Sequence, residues 1–376
     1  MQRPRPPLAL LQPEPASSGS AHWIDGLTGS LLAPRPHAAA IGVSLPPPSM
    51  AAVAAAGQAE PAGALIQVNG PNSAEPLQAA PMAASSVGEP AVLLRDRQPW
   101  SQARVDALIA AGTIQARWLP DIRAVAPDKL NIQRQQQRDM LRFSNAIANT
   151  GANNWQVRRG VELSLTTDAE LIAYAESLGL NSSELALTAQ ELLNPDGSLA
   201  ALIPDAALSE FHPEHKHFHI GETAEFGLER RNAQGGWDAI TGLEVVKTTF
   251  CLIDINQIQS AGSSDPDEYE IIKSPAKDNT YNDCFADVQG ITAGWIDRYS
   301  HSLPGQEIDI TSLAAGTYRL VVNVNPSQWF LESDYSNNTS SVGFVLERNH
   351  QGQAFLTQLP DLTSGIWFGQ SPNGMG

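Results

Sequence analysis

Eight consecutive residues, His212-Pro-Glu-His215-Lys-His217-Phe-His219, hold half of the chain's eight histidines. His215, His217 and His219 recur at every second residue. On an extended strand that spacing puts three imidazoles on one face. A neutral imidazole is a metal ligand, and three on one face supply most of a coordination sphere. Flanking Phe218 and Ile220 suit a strand better than a polar tract. His212 lies across Pro213 with the opposite parity and is left out of the set. The stretch predicts a metal without naming it.

Lys247 is a second chemical signal, one of five lysines in the chain. Val245, Val246, Thr248, Thr249 and Phe250 give its ammonium an apolar sequence setting. A desolvated lysine has a lowered pKa and becomes a nucleophile; at a strand end its stem could equally carry the charge to water. The chain bears a net charge of −17, with 40 acidic against 23 basic residues, which argues against nucleic acid as a partner. An acidic field favours cations and cationic amines. Cys251 and Cys284 are the only cysteines, compatible with one disulfide or two core thiols. No apolar run approaches the ~18 residues of a membrane span. The start, MQRPRPPLALLQPEP, has arginines but only Leu8 to Leu11 as an apolar stretch, short of the about 7–15 residues of a secretory signal.

These residues need elements to hold them. Sixteen of the 27 prolines fall in the first 100 residues, so 1–115 reads as a disordered Pro/Ala-rich leader without chemistry, with one possible helix over 101–116. Beyond Trp118 strand patterns take over, at 140–149, 157–165, 225–230, 244–255, 316–325 and 340–347. Two helices are expected, over 168–178 and 183–193. The tail after 348 reads as loose. The fold class expected is mainly β: an antiparallel β-sandwich catalytic domain over 118–347 with a short helical insertion.

Several blocks occur in the order seen in the lysyl oxidase catalytic domain. They are the histidine stretch, Lys247-Thr-Thr-Phe-Cys251-Leu-Ile-Asp254, Gly294-Trp-Ile-Asp297-Arg-Tyr299, Ile308-Asp-Ile-Thr311, and Glu332-Ser-Asp334-Tyr-Ser-Asn337-Asn338. Leu119-Pro-Asp121 is similar to the start of that domain. The resemblance implies copper(II) on His215, His217 and His219. It implies a lysine tyrosylquinone cofactor made from Lys247 and Tyr299 of the chain itself, with Asp297 as the base that takes the α-proton; His301, two residues beyond Tyr299, is an alternative base that the family motif does not supply. It also implies a calcium site of Asp121, the Ile122 carbonyl, Glu332, Asp334, Asn337 and Asn338. A Cys251–Cys284 bridge follows from the same likeness, since Cys251 matches a family cysteine and Cys284 falls where others cluster.

The activity implied is a copper-dependent amine oxidase. It would convert peptidyl lysine or another primary amine, with O₂, to an aldehyde, ammonia and hydrogen peroxide, and extracellular location goes with the family. Val246 stands where animal members carry a histidine, and the 166–205 stretch has no counterpart, which suggests a bacterial-type member. Two other readings stay open. One is a three-histidine zinc hydrolase or hydratase; the other is a non-catalytic, calcium-stabilised β-sandwich binding module.

Overall fold

The computed structural model describes residues 65–66, 90–94, 98–162, 169, 172–173, 175, 184–212, 216–243, 249–272 and 279–368. His215 and Lys247 lie outside these residues, as do most of the leader and most of the helix expected over 168–178.

Strands β1 (Leu65–Ile66) and β2 (Ala91–Leu93) precede helix α1 (Gln102–Ala110). Then come β3 (Ile122–Gln135), β4 (Arg138–Asn149), β5 (Trp155–Glu162), β6 (Leu185–Leu193), β7 (Leu199–His212) and β8 (His217–Ile220). β9 (Ala224–Arg231), β10 (Trp237–Ala239), β11 (Asn256–Ser260), β12 (Glu268–Ile272), β13 (Val288–Ile291) and β14 (Trp295–Tyr299) follow. The last are β15 (Glu307–Asp309), β16 (Gly316–Val324), β17 (Thr339–Arg348), β18 (Ala354–Ser364) and β19 (Trp367–Phe368).

They form three sheets. One runs β1-β2-β7-β6-β5-β13 with β8 added to β7. The second runs β10-β9-β16-β17-β18, and the third β15-β4-β14-β11-β12-β19 with β3 added to β4. Parallel pairing is confined, among the described residues, to β1/β2, β2/β7, β12/β19 and an isolated bridge between Val125 and Ile366. The mainly β, antiparallel expectation therefore holds.

The β3–β4 hairpin shows how local sequence sets this framework. Gln136 and Gln137 both take positive φ, 46° and 72°, the twist that lets a two-residue turn join right-twisted strands. β4 is buried on both faces. Phe143 and Ile147 enter the main core, whereas Ala146 and Ala148 pack with Ile258, Ile296 and Ile366 in a second cluster. The main core also takes Trp155, Phe226, Phe250 and Phe330.

Four expectations change. Residues 183–193 were expected to be a helix, but Leu185–Leu193 is β6, paired with β5 on one side and β7 on the other. A strand buried on both faces loses its alternation and imitates a helical run. The leader does not extend to 115. Ser101 caps α1, accepting the Arg104 N–H, and Trp100 and Val105 are fully buried in the core. Of the strand expected over 244–255, residues 244–248 lie outside the described residues, 249–255 form only an isolated bridge from Phe250 to Ile220, and β11 begins at Asn256. Asp254 instead accepts the N–H groups of Thr280, Tyr281 and Thr292, which breaks the ladder there. As far as residue 368, where the described residues end, the tail is not loose: β18 extends the second sheet, β19 joins the third, and Ile366 is fully buried.

Candidate functional site

The histidine stretch is a hairpin, not one strand. β7 ends at His212, the chain turns with Lys216 at φ 61°, and β8 starts at His217. The register sets His212 opposite His217 and Glu210 opposite His219. Opposed residues share a face, so Glu210, His212, His217 and His219 line one side and Phe211 and Phe218 the other. Parity excludes His212 only if the strand is unbroken, and the antiparallel pairing of His212 with His217 brings it onto the histidine face. Nε2 of His217 and Nε2 of His219 are 3.1 Å apart. The ring of His212 lies 4.7 Å from that of His219, centroid to centroid. Two nitrogens bound to one ion at about 2.0–2.1 Å stand about 3 Å apart at right angles, so the donor pair fits a metal.

The segment after Lys247 is fastened to this hairpin. Phe250 and Ile220 exchange backbone hydrogen bonds of 2.7 and 3.2 Å. Thr249 Oγ1 donates to Glu210 Oε1 at 2.8 Å and stands 3.5 Å from His219 Nδ1. Burial pushes the Glu210 carboxyl up, and the Thr249 bond opposes that. Cys251 and Cys284 form the expected disulfide. A ring nitrogen of His217 lies within 4.8 Å of both sulfurs. Bridged sulfurs are not thiolates, so they add no soft ligands.

Tyr299 meets this assembly from the third sheet. Asp297 and Tyr299, two apart on β14, share a face opposite Ile147 and Asn145 of β4. The Tyr299 hydroxyl is within hydrogen-bonding reach of the Cys251 carbonyl and the Asp297 carboxylate. Its ring packs edge-on against Phe250 at 4.7 Å. Enclosure of the hydroxyl pushes its pKa well above the usual phenol value, and the Asp297 charge pushes it further. Cys251 therefore links the two halves: its carbonyl meets Tyr299 and its sulfur stands beside His217. Beyond β14, the His301 backbone is held by Ser144 Oγ and by Arg142 Nε, at 2.9 and 2.6 Å.

The oxygen-rich turn forms a second site. Asn337 Nδ2 donates to Asp121 Oδ1 at 2.9 Å and to Asp334 Oδ2 at 3.3 Å. Glu332 is fully buried and accepts from Ile122 N–H, Asn325 and Asn338 at 2.8, 2.5 and 2.8 Å. Burial pushes its carboxyl up to about 8 against those three bonds. The Oδ1 atoms of Asn337 and Asn338 are buried with no hydrogen-bond partner among the described residues. Hard carboxylate and amide oxygens are the ligand type that suits calcium. The contacts join Asp121, Asp334 and Asn337 in one group and Glu332 and Asn338 in another, and Ile122 takes part through its N–H rather than the expected carbonyl.

Against known proteins, residues 191–352 match the lysyl oxidase family. This segment, under half of the chain, is similar to the lysyl oxidase family. It is 33% identical over 135 residues to protein-lysine 6-oxidase of Sus scrofa, covering 34% of this chain and 43% of that protein. It is 32% identical over 133 residues to lysyl oxidase homolog 1 of Homo sapiens, covering 34% of this chain and 19% of that protein. A 50-residue stretch is 48% identical to lysyl oxidase homolog 2 of Xenopus laevis, 13% of this chain and 6% of that one. The chain spans less than half the length of these curated relatives. Among the described residues no helix is long and apolar enough to cross a membrane.

Sequence reasoning missed Glu210, His212 and Thr249. Pro213 beside an acidic residue was the available turn signal for His212. Glu210 and Thr249 are 39 residues apart in sequence, and nothing local announces such a pair.

Proposed function

We propose that this lysyl oxidase-like domain is a copper-dependent amine oxidase acting on peptidyl lysine or other primary amines, with O₂ as the acceptor, and that it works outside the cell. The observation that carries the reading is the junction at Cys251, which ties an imidazole metal site to a buried phenol–carboxylate pair. A zinc hydrolase would need the imidazoles and leave Tyr299 and Asp297 without a task.

His217 and His219, with His215, would hold copper through ring nitrogens, and nitrogen ligation suits Cu(II). When bound, copper with O₂ would supply the oxidising chemistry that turns the Tyr299 phenol, joined to Lys247, into an electrophilic quinone able to condense with an amine. The chain's own residues supply the rest. Phe250 fixes the Tyr299 ring from its edge. Asp297, buried beside the phenol, takes the α-proton of the bound amine. Asp121, Ile122, Glu332, Asp334, Asn337 and Asn338 would hold calcium and join the start of β3 to the turn before β17.

Copper-loaded protein should yield a cross-linked Lys247–Tyr299 peptide on mass mapping, bind phenylhydrazine, and release peroxide with benzylamine or a lysine peptide. Tyr299→Phe should keep copper and lose all three signals, because phenylalanine cannot become a quinone. Unjoined peptides in metal-replete protein that makes no peroxide would overturn the reading.

A further inference from the structure

The face that carries the histidines also carries a carboxylate and a hydroxyl not yet used. Glu210 stands directly opposite His219 across the β7–β8 ladder. Thr249 reaches both, 2.8 Å to Glu210 Oε1 and 3.5 Å to His219 Nδ1. We propose that Glu210 and Thr249 are positioning residues that set the tautomer of His219 and so aim its Nε2 lone pair at the metal.

The argument is a count of hydrogens. A threonine hydroxyl has one proton to give and lone pairs to accept with. The Glu210 carboxylate can only accept, so the Thr249 proton goes to Oε1. Toward His219 the hydroxyl then has only a lone pair left. It favours the imidazole whose proton is on Nδ1, because that ring can donate to it. The Nε2 of that tautomer carries no proton. This is the atom 3.1 Å from His217 Nε2, where the donor pair converges. Fixing the second ring nitrogen of a metal-bound histidine orients the ring and raises its basicity. The same hydroxyl lies next to Phe250, whose backbone is bonded to Ile220. One contact therefore sets the ligand and holds the segment that leads back to Lys247.

The inference rests on His219 being a ligand, but its first readout needs neither metal nor turnover. In the full chain, metal-free and labelled with nitrogen-15 histidine, long-range proton–nitrogen correlations at pH 8 should report His219 as the Nδ1–H form. His219→Gln identifies its signals. Thr249→Ser should keep that form. Thr249→Val removes the hydroxyl at constant shape and should shift the ring toward Nε2–H. Glu210→Gln should do the same, since its amide can donate to Thr249 and turn the hydroxyl proton toward Nδ1. Copper affinity should fall about 10–100-fold in Thr249→Val, with altered Cu(II) electron paramagnetic resonance, and recover in Thr249→Ser. Circular dichroism checks that each variant folds; if Thr249→Val does not, Glu210→Gln and Thr249→Ser carry the test. An Nε2–H ring in the unaltered protein, or variants with unchanged tautomer and copper spectrum, would overturn the proposal. Failure of the unaltered protein to bind copper would sink the amine oxidase reading instead, and the tautomer result would stand apart from it.

Discussion

Tyr299 is a phenol held neutral. Its hydroxyl is enclosed, and the adjacent Asp297 charge opposes ionisation. Its pKa is thus raised in the folded state relative to about 10 when unfolded. Below pH 10 both states are protonated and the folded state keeps its full advantage. Above pH 10 the unfolded tyrosine ionises first, and stability falls as pH rises. Asp297→Asn removes the neighbouring charge, so ultraviolet titration should show one tyrosine ionising at lower pH than before. If Asp297 is the base, the same variant should lose about 10²–10⁴-fold in turnover, read by peroxide release with the cofactor still trapped by phenylhydrazine. At this scale the sequence was informative where chemistry sits in a local pattern: alternating histidines, and an aspartate two residues before a tyrosine. It was silent on Glu210 and Thr249, because a hydrogen bond between distant segments leaves no local trace. It misled on His212, because parity assumes the strand does not turn.

Elements decide whether those residues meet. Glu332 shows the cost of an element boundary that depends on one side chain. Its carboxyl receives the first N–H of β3, the Asn325 amide just after β16 and the Asn338 amide just before β17. Glu332→Ala strands three buried donors. At about 1–3 kcal/mol for each unsatisfied group, the loss should be on the order of 3 kcal/mol or more in chemical denaturation, and Glu332→Gln should lose less. The Cys251–Cys284 bridge works at the same scale, closing a 33-residue separation between the Lys247 segment and β13. Chain-entropy arguments give about 3–4 kcal/mol for a loop of that size. A Cys251→Ser, Cys284→Ser double variant should unfold earlier by no more than that. Strands with clean alternation, such as β16, were legible from their residues. β6 was not, because burial on both faces removes the signal that separates strand from helix.

At the scale of the whole molecule, residues 354–368 tie the second and third sheets together. The chain leaves β17, runs back as β18 along the edge of the second sheet, and crosses to the third as β19. Between them Ile366 is fully buried against Val125, Ala146 and Ile296, and its carbonyl accepts the Ala126 N–H at 2.7 Å. Gly365, at φ 84°, makes the crossing possible, since any Cβ there would meet Ser340. The lysyl oxidase match stops at residue 352, so this strap lies beyond the matched segment. A Gly- and Pro-bearing tail reads as loose when its partners are the edge strands of two sheets, because its order depends on surfaces the rest of the chain must build first. Truncation after Gly352 should therefore cost more than a surface tail would. Burial of Ile366 alone contributes about 1.5–3 kcal/mol, and the β17 edge loses its cover as well. A loss of about 3 kcal/mol would lower the melting temperature by about 6–12 °C for a domain of this size. Ile366→Ala should reproduce a large part of that drop by opening a cavity at about 2–5 kcal/mol, while copper stoichiometry stays the same because the histidine hairpin is in the other sheet. A truncated chain that melts with the full one would mean that the strap adds nothing to the core it covers.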